Sequence, residues 1–200
     1  VALIALVLGL TINKVLSGKG QGAPTALIDA GIILLPQSRN LPDVKMTDQD
    51  GNPVMVNQLK DKWSLLFFGY TFCPDICPTT LAQLRQIKSE LPPEAVAKMQ
   101  IILVSIDPNR DTPAQLKQYL GYFDPQFKGL TASSVDDIET LANAVSIPFI
   151  PADTSKPNYT VDHSGNLAVI GPDGTQRGFI RGPLNNAKLV AQLPVMLNRK

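Results

Sequence analysis

Apolar residues along this chain follow two spacings, and the spacing changes where one element gives way to the next. Residues 63–70, WSLLFFGY, make a continuous apolar run of strand length, which predicts a buried central strand. Residues 101–106 predict a second. Between them Leu81, Leu84, Ile87 and Leu91 recur at helical spacing, so residues 79–91 predict a helix that Pro92-Pro93 closes. Upstream, two short extended runs within residues 43–56 flank Asp50-Gly51, a hairpin signal. Downstream, Thr112 as N-cap and Pro113 at the first helical position open a helix to about residue 120. Ser134 and Asp137 form an S-x-x-D cap for a helix to about residue 145. Residues 167–170 and 176–180 bracket Pro172-Asp173-Gly174 as a second hairpin, and residues 184–197 predict a terminal helix.

The order of strand, helix, strand, two helices, hairpin and helix predicts an α/β fold. It is a mixed sheet flanked by helices on both faces, with an added N-terminal β-hairpin. Two buried strands joined through a helix should be parallel neighbours with a right-handed crossover, and ligands of such sheets collect beyond the carboxyl ends of the strands. Cys73 and Asp107 both fall there.

Residues 1–12 carry no charge, and the first is Lys14. A helix through them would be about 18 Å long, short of the roughly 30 Å hydrocarbon core, so the run reads as part of a longer apolar segment. The division expected is a partial N-terminal membrane anchor over residues 1–16, a linker rich in Gly and small polar residues over 17–40, and one domain over 41–200. A signal-peptide segment or a core helix would account for the same run. An anchor places the domain outside the cytoplasm, where two neighbouring cysteines oxidise unless a reductant or a metal holds them. Eighteen basic residues against 17 acidic ones leave no charge excess for gripping a phosphate backbone, so nucleic acid is not an expected partner.

Both cysteines of the chain lie in Phe72-Cys73-Pro74-Asp75-Ile76-Cys77-Pro78. A residue before proline is pushed out of the helical region, which predicts Cys77 as N-cap, Pro78 at the first helical position and Cys73 in a loop over the helix end. Thiols at that end should have lowered pKa, favouring metal binding or redox exchange. Two structural cysteines or an inert disulfide remain the plain alternative, although a bridge over so short a loop removes little chain entropy. His163 is the only histidine, and a lone histidine often does no more than satisfy a local hydrogen bond. Two sulfurs and one imidazole cannot complete a four-coordinate structural zinc site. They suit Cu(I), and a Cys2His set also suits Cu(II), one ion per chain.

CPDICP at residues 73–78, DPNRDTP at 107–113 and YTVDHS at 159–164 resemble motifs of the Sco/SenC family, copper-binding proteins needed for cytochrome c oxidase assembly. The likeness covers roughly residues 41–193. It implies a thioredoxin-like fold with Cys73, Cys77 and His163 as copper ligands, and Cys73 and Cys77 as a redox-active disulfide pair. It also implies the copper-bearing oxidase subunit and a copper donor protein as partners. Asp107 resembles the acidic residue kept beside the copper site, and Asp162 is a candidate to orient the His163 ring. Arg110 and Asp111 are expected to fix their loop, and Tyr70 and Phe72 to shield the site. The expected location is a bacterial inner membrane with the domain in the periplasm, the mitochondrial inner membrane facing the intermembrane space being the alternative.

Three functions are compatible with these residues. A metallochaperone passes copper on by ligand exchange and is not an enzyme. A thiol-disulfide oxidoreductase would reduce the oxidase cysteines that receive the copper, but it needs neither the extra residue in C-x3-C nor the histidine. A peroxidase is disfavoured because Thr71 stands two residues before Cys73 rather than three.

Overall fold

The protein, described here by a computed structural model over residues 23–199, is built on one eight-stranded mixed sheet. The anchor expected over residues 1–16 lies outside the described residues. Among those described, no helix is long and apolar enough to cross a membrane.

The elements in chain order are α1 (Ala23–Asp29), β1 (Ile32–Asn40), β2 (Lys45–Asp48), β3 (Pro53–Met55), β4 (Trp63–Gly69), α2 (Ile76–Glu90) and α3 (Pro93–Ala97). There follow β5 (Met99–Ser105), α4 (Pro113–Gly121), β6 (Lys128–Thr131), α5 (Val135–Ala144), β7 (Leu167–Ile170), β8 (Thr175–Ile180) and α6 (Asn186–Leu197). The sheet order is β1-β8-β7-β4-β5-β6-β2-β3. Every residue of β4 is buried, as a strand covered on both faces requires. On α2 the buried positions Cys77, Thr80, Leu81, Leu84 and Ile87 follow the helical repeat, and α2 packs with α6, as do α1 and α3.

The expected elements are present, including the Asp50-Gly51 hairpin, with Gly51 at a φ of 84°. So are the helix caps at Thr112 and Ser134, whose side chains accept from the backbone N–H of Gln115 and Asp137. The expected linker over 17–40 needs correction from residue 23 onward. The run Ile32-Ile33-Leu34-Leu35 is an apolar strand former that pairs antiparallel with the open edge of β8, while Leu27, Ala30 and Ile32 are buried in the core. Gly31, at a φ of 85°, makes the turn from α1 into β1.

Two registers position the site. β4 and β5 are parallel, with Gly69 opposite Ser105, so residues 70–75 and 106–112 leave the sheet side by side. β7 is antiparallel to β4, with Leu167 opposite Phe67, so the chain entering β7 arrives at that same end. The three sequence motifs therefore meet although 90 residues separate Cys73 from His163.

Candidate metal centre

Cys77 lies inside the first turn of α2, which starts at Ile76 with Asp75 at the N-cap; the expected cap at Cys77 is displaced by two residues. The pre-proline restriction is a steric bias, and a first-turn proline forfeits only an N–H that would have no intrahelical partner. Cys77 is fully buried and Cys73 is 9% exposed, both as free thiols. The backbone N–H of Tyr70 bonds to the Cys77 sulfur, yet burial outweighs it and pushes the Cys77 thiol well above its ordinary value. This is opposite to the lowering expected from the helix end alone.

His163 Nε2 lies 3.3 Å from the Cys77 sulfur and 3.7 Å from the Cys73 sulfur. Its Nδ1 is 3.1 Å from the Ser164 carbonyl. A carbonyl only accepts, so Nδ1 carries the proton and the Nε2 lone pair faces the two sulfurs. Burial lowers the His163 pKa against smaller opposing effects of that hydrogen bond and of Asp162, which keeps the ring neutral as metal ligation requires. Phe67 and Tyr70 meet the ring edge-on, with centroids at 6.0 and 5.8 Å.

The three donor atoms lie within 4.8 Å of one another. Metal–sulfur and metal–imidazole bonds of about 2.3 and about 2.0 Å, at tetrahedral to trigonal angles, separate sulfur from nitrogen by roughly 3.5 to 3.8 Å. The Cys73 separation falls in that range and the Cys77 separation is about 0.2 Å short of it, so one ion fits among the donors after a small outward shift of the Cys77 sulfur or the ring. Gly69, at the end of β4, makes room for the sulfur of Cys77.

The remaining residues singled out by sequence hold the site's walls. Asp111 is fully buried and accepts from the Thr71 N–H at 3.0 Å, the Thr71 hydroxyl at 2.6 Å and the Ser105 hydroxyl at 2.7 Å. Asp107 is buried too. Its Oδ1 accepts from the Tyr159 hydroxyl and its Oδ2 from Arg110 Nε, so both oxygens are engaged by protein partners. Asp162 is exposed, and the hydrogen bond that orients the imidazole comes from Ser164, which sequence reasoning passed over because a backbone acceptor leaves no mark on residue type. Tyr70 is buried beside the histidine, whereas Phe72 is 52% exposed and lies over the Arg110 guanidinium, 4.7 Å away.

Comparison with known proteins agrees with this geometry. Residues 36–198 match the family model described as SCO1/SenC. The chain is 45% identical over 176 residues to a putative copper-binding protein of Stutzerimonas stutzeri, covering 88% of this chain and 86% of that one. It is 40% identical over 131 residues to the mitochondrial SCO2 protein of Saccharomyces cerevisiae, 64% of this chain but 43% of the yeast protein. Bradyrhizobium japonicum ScoI with copper bound superposes with a TM-score of 0.68 at 32% identity, over 78% of this chain and 98% of that one. The same thioredoxin-like fold recurs in BsSco, described as a member of the Sco family of cytochrome c oxidase assembly proteins. Its TM-score is 0.66 at 24% identity, over 82% of this chain and 97% of that one.

Proposed function

The chain belongs to the SCO1/SenC family, and on that premise we propose that it binds one copper ion through Cys73, Cys77 and His163 and delivers it to the copper-bearing (CuA) subunit of cytochrome c oxidase. The observation that carries this reading is the meeting of two sulfurs with an imidazole whose Nδ1 proton is held by Ser164, leaving Nε2 free to ligate. Two soft donors and one borderline donor suit Cu(I), and the nitrogen extends the set to Cu(II). Copper here is cargo, taken up and released by ligand exchange.

Delivery needs a protein partner to approach the donors. Phe72 precedes Cys73, Ile76 precedes Cys77, and Ile150 is bridged to Asp162 beside His163; all three are exposed apolar side chains. Exposed apolar side chains grouped around buried sulfurs and a half-buried imidazole offer a partner a surface to cover. The expected anchor over residues 1–16 would hold this face in the periplasm, next to the membrane-bound oxidase.

A reductase role for the same cysteines has less support, because it leaves unused the His163 imidazole that stands against both sulfurs with its Nδ1 proton held by Ser164. Anaerobic titration of the reduced protein should give one tightly held Cu(I) per chain, and cells carrying Cys73→Ala should lose the CuA signal of their oxidase. Two tight coppers per chain, or an oxidase with normal CuA in that strain, would defeat the reading.

A further inference from the structure

The loop 107–111 grips both halves of the copper site through neighbouring residues. Asp111 holds Thr71, two residues before Cys73. Arg110 holds Tyr159, four residues before His163: its Nη2 donates to the Tyr159 carbonyl at 2.9 Å, and its guanidinium lies 3.7 Å from the Tyr159 ring centre. Asp107 closes the triangle, accepting from Arg110 Nε and from the Tyr159 hydroxyl at 2.7 Å.

The two halves differ in what else supports them. Cys77 is set by the first turn of α2, and Cys73 by the Asp111 network. His163 lies on chain that is neither helix nor strand between α5 and β7, apart from the isolated bridge between Ile150 and Asp162. Its approach is governed by tertiary hydrogen bonds at residues 159–162, and beside those from Arg110 stands the Val161 N–H donating to the Tyr70 hydroxyl at 3.1 Å.

We propose that Arg110 is a positioning residue for the imidazole: the Asp107–Arg110–Tyr159 latch sets whether His163 stands with the two sulfurs, and thereby selects between a Cys2His site and a two-thiolate site. With the latch closed the site accepts Cu(II) as well as Cu(I). With it open the sulfurs keep their places and hold Cu(I) alone, since Cu(II) wants the nitrogen donor. This inference rests on the copper-binding reading above and deepens it.

The test uses the full chain with Arg110→Ala, Arg110→Lys, Tyr159→Phe and, as reference, His163→Ala. Readouts are Cu(II) titration followed by visible absorption and EPR, anaerobic Cu(I) competition, and nitrogen-15 NMR of residues 159–163 in the metal-free protein. Arg110→Ala should weaken Cu(II) binding about tenfold or more, the usual effect of losing a partner that orients a metal ligand. It should reduce the nitrogen hyperfine pattern and broaden the NMR signals of that segment, with Cu(I) affinity changed less than about threefold. Lysine restores the charge facing Asp107 but neither the planar stack nor the fork, so Arg110→Lys should behave as the alanine variant. Tyr159→Phe keeps the stack and the carbonyl and should lose about threefold for Cu(II), the worth of one hydrogen bond. Should Arg110→Ala fail to fold, unchanged Cu(II) affinity in Tyr159→Phe overturns the latch. Wild-type Cu(II) binding in Arg110→Ala, or equal losses for both oxidation states, overturns it as well while leaving the copper reading intact. Wild-type Cu(II) binding in His163→Ala overturns both.

Discussion

Gly69 stands so close to the Cys77 sulfur that a Cβ added there would lie 2.7 Å from it, with the Phe67 ring at 3.1 Å and Leu103 at 3.2 Å. The end of the buried strand and the first turn of the helix are thus fitted to each other around one sulfur. Gly69→Ala should cost about 1 to 3 kcal/mol by overpacking. It should also displace Sγ and weaken Cu(I) binding about tenfold or more, as misplacing a ligand does. Gly121→Ala, where an added Cβ meets nothing within 4 Å, should change neither. Thermal unfolding and Cu(I) competition on the two variants check this.

Asp111→Ala should be among the more costly single changes near the site. It leaves the Thr71 N–H, the Thr71 hydroxyl and the Ser105 hydroxyl without their shared acceptor in a buried setting. A loss of about 3 kcal/mol is expected, since stranding buried donors costs more than the net worth of the bonds. Gln115, which donates to the Thr71 hydroxyl at 3.1 Å, cannot replace that acceptor. Urea unfolding of the metal-free protein measures it, and a loss within experimental error of zero would contradict the assigned network.

The alkaline limb of stability should report the burial of Cys77. Its folded pKa is raised above the ordinary 9.0, mainly by burial, so the unfolded chain gives up this proton first. The folded state's advantage is complete below about pH 9 and declines as pH rises further, at up to about 1.4 kcal/mol per pH unit. Tyr119, also raised by burial, adds a decline of the same sign above its ordinary 10.0. Cys77→Ser should make the decline between about pH 9 and 10 shallower without abolishing it. Melting temperatures of the reduced, metal-free proteins across that range decide the point.

Much of this site was legible because its chemistry sits in short segments at strand ends. Residues 63–70 and 101–106 announce two buried strands, and parallel pairing then forces Cys73 and Asp107 to one end of the sheet. The antiparallel return of β7 completes the site with His163. What sequence left hidden depends on contacts rather than on residue type. β6 is four residues long, KGLT, and is a strand because β5 and β2 pair with it on either side, Gly129 leaving room for Leu116 and Leu120 of α4. Residues 23–40 look like a tether until β8 offers Ile32 and its neighbours an edge to pair with. The lowered thiol pKa inferred from the helix end fails at Cys77 because that inference counts the dipole and not the desolvation. The Ser164 carbonyl and the Arg110 stack on Tyr159 are likewise products of the folded chain.

His163 also separates the two roles open to the cysteine pair. Thiol-disulfide exchange needs Cys73 and Cys77 alone, whereas a site for both copper oxidation states needs the nitrogen. His163→Ala should therefore weaken Cu(II) binding by about a hundredfold or more, beyond what loss of an orienting partner costs, while two thiolates keep most of the Cu(I) affinity. Its reaction with a small disulfide should persist, because both sulfurs, the α2 terminus and the Tyr70 N–H facing Cys77 are untouched. The deciding measurement is the CuA content of the oxidase in cells that carry only this variant. Loss of CuA with dithiol reactivity intact assigns the function to metal handling, since the variant retains everything a reductase requires. Normal CuA would mean that the imidazole, although it stands 3.3 Å from the Cys77 sulfur, is not needed for delivery. The reductase reading would then replace the chaperone.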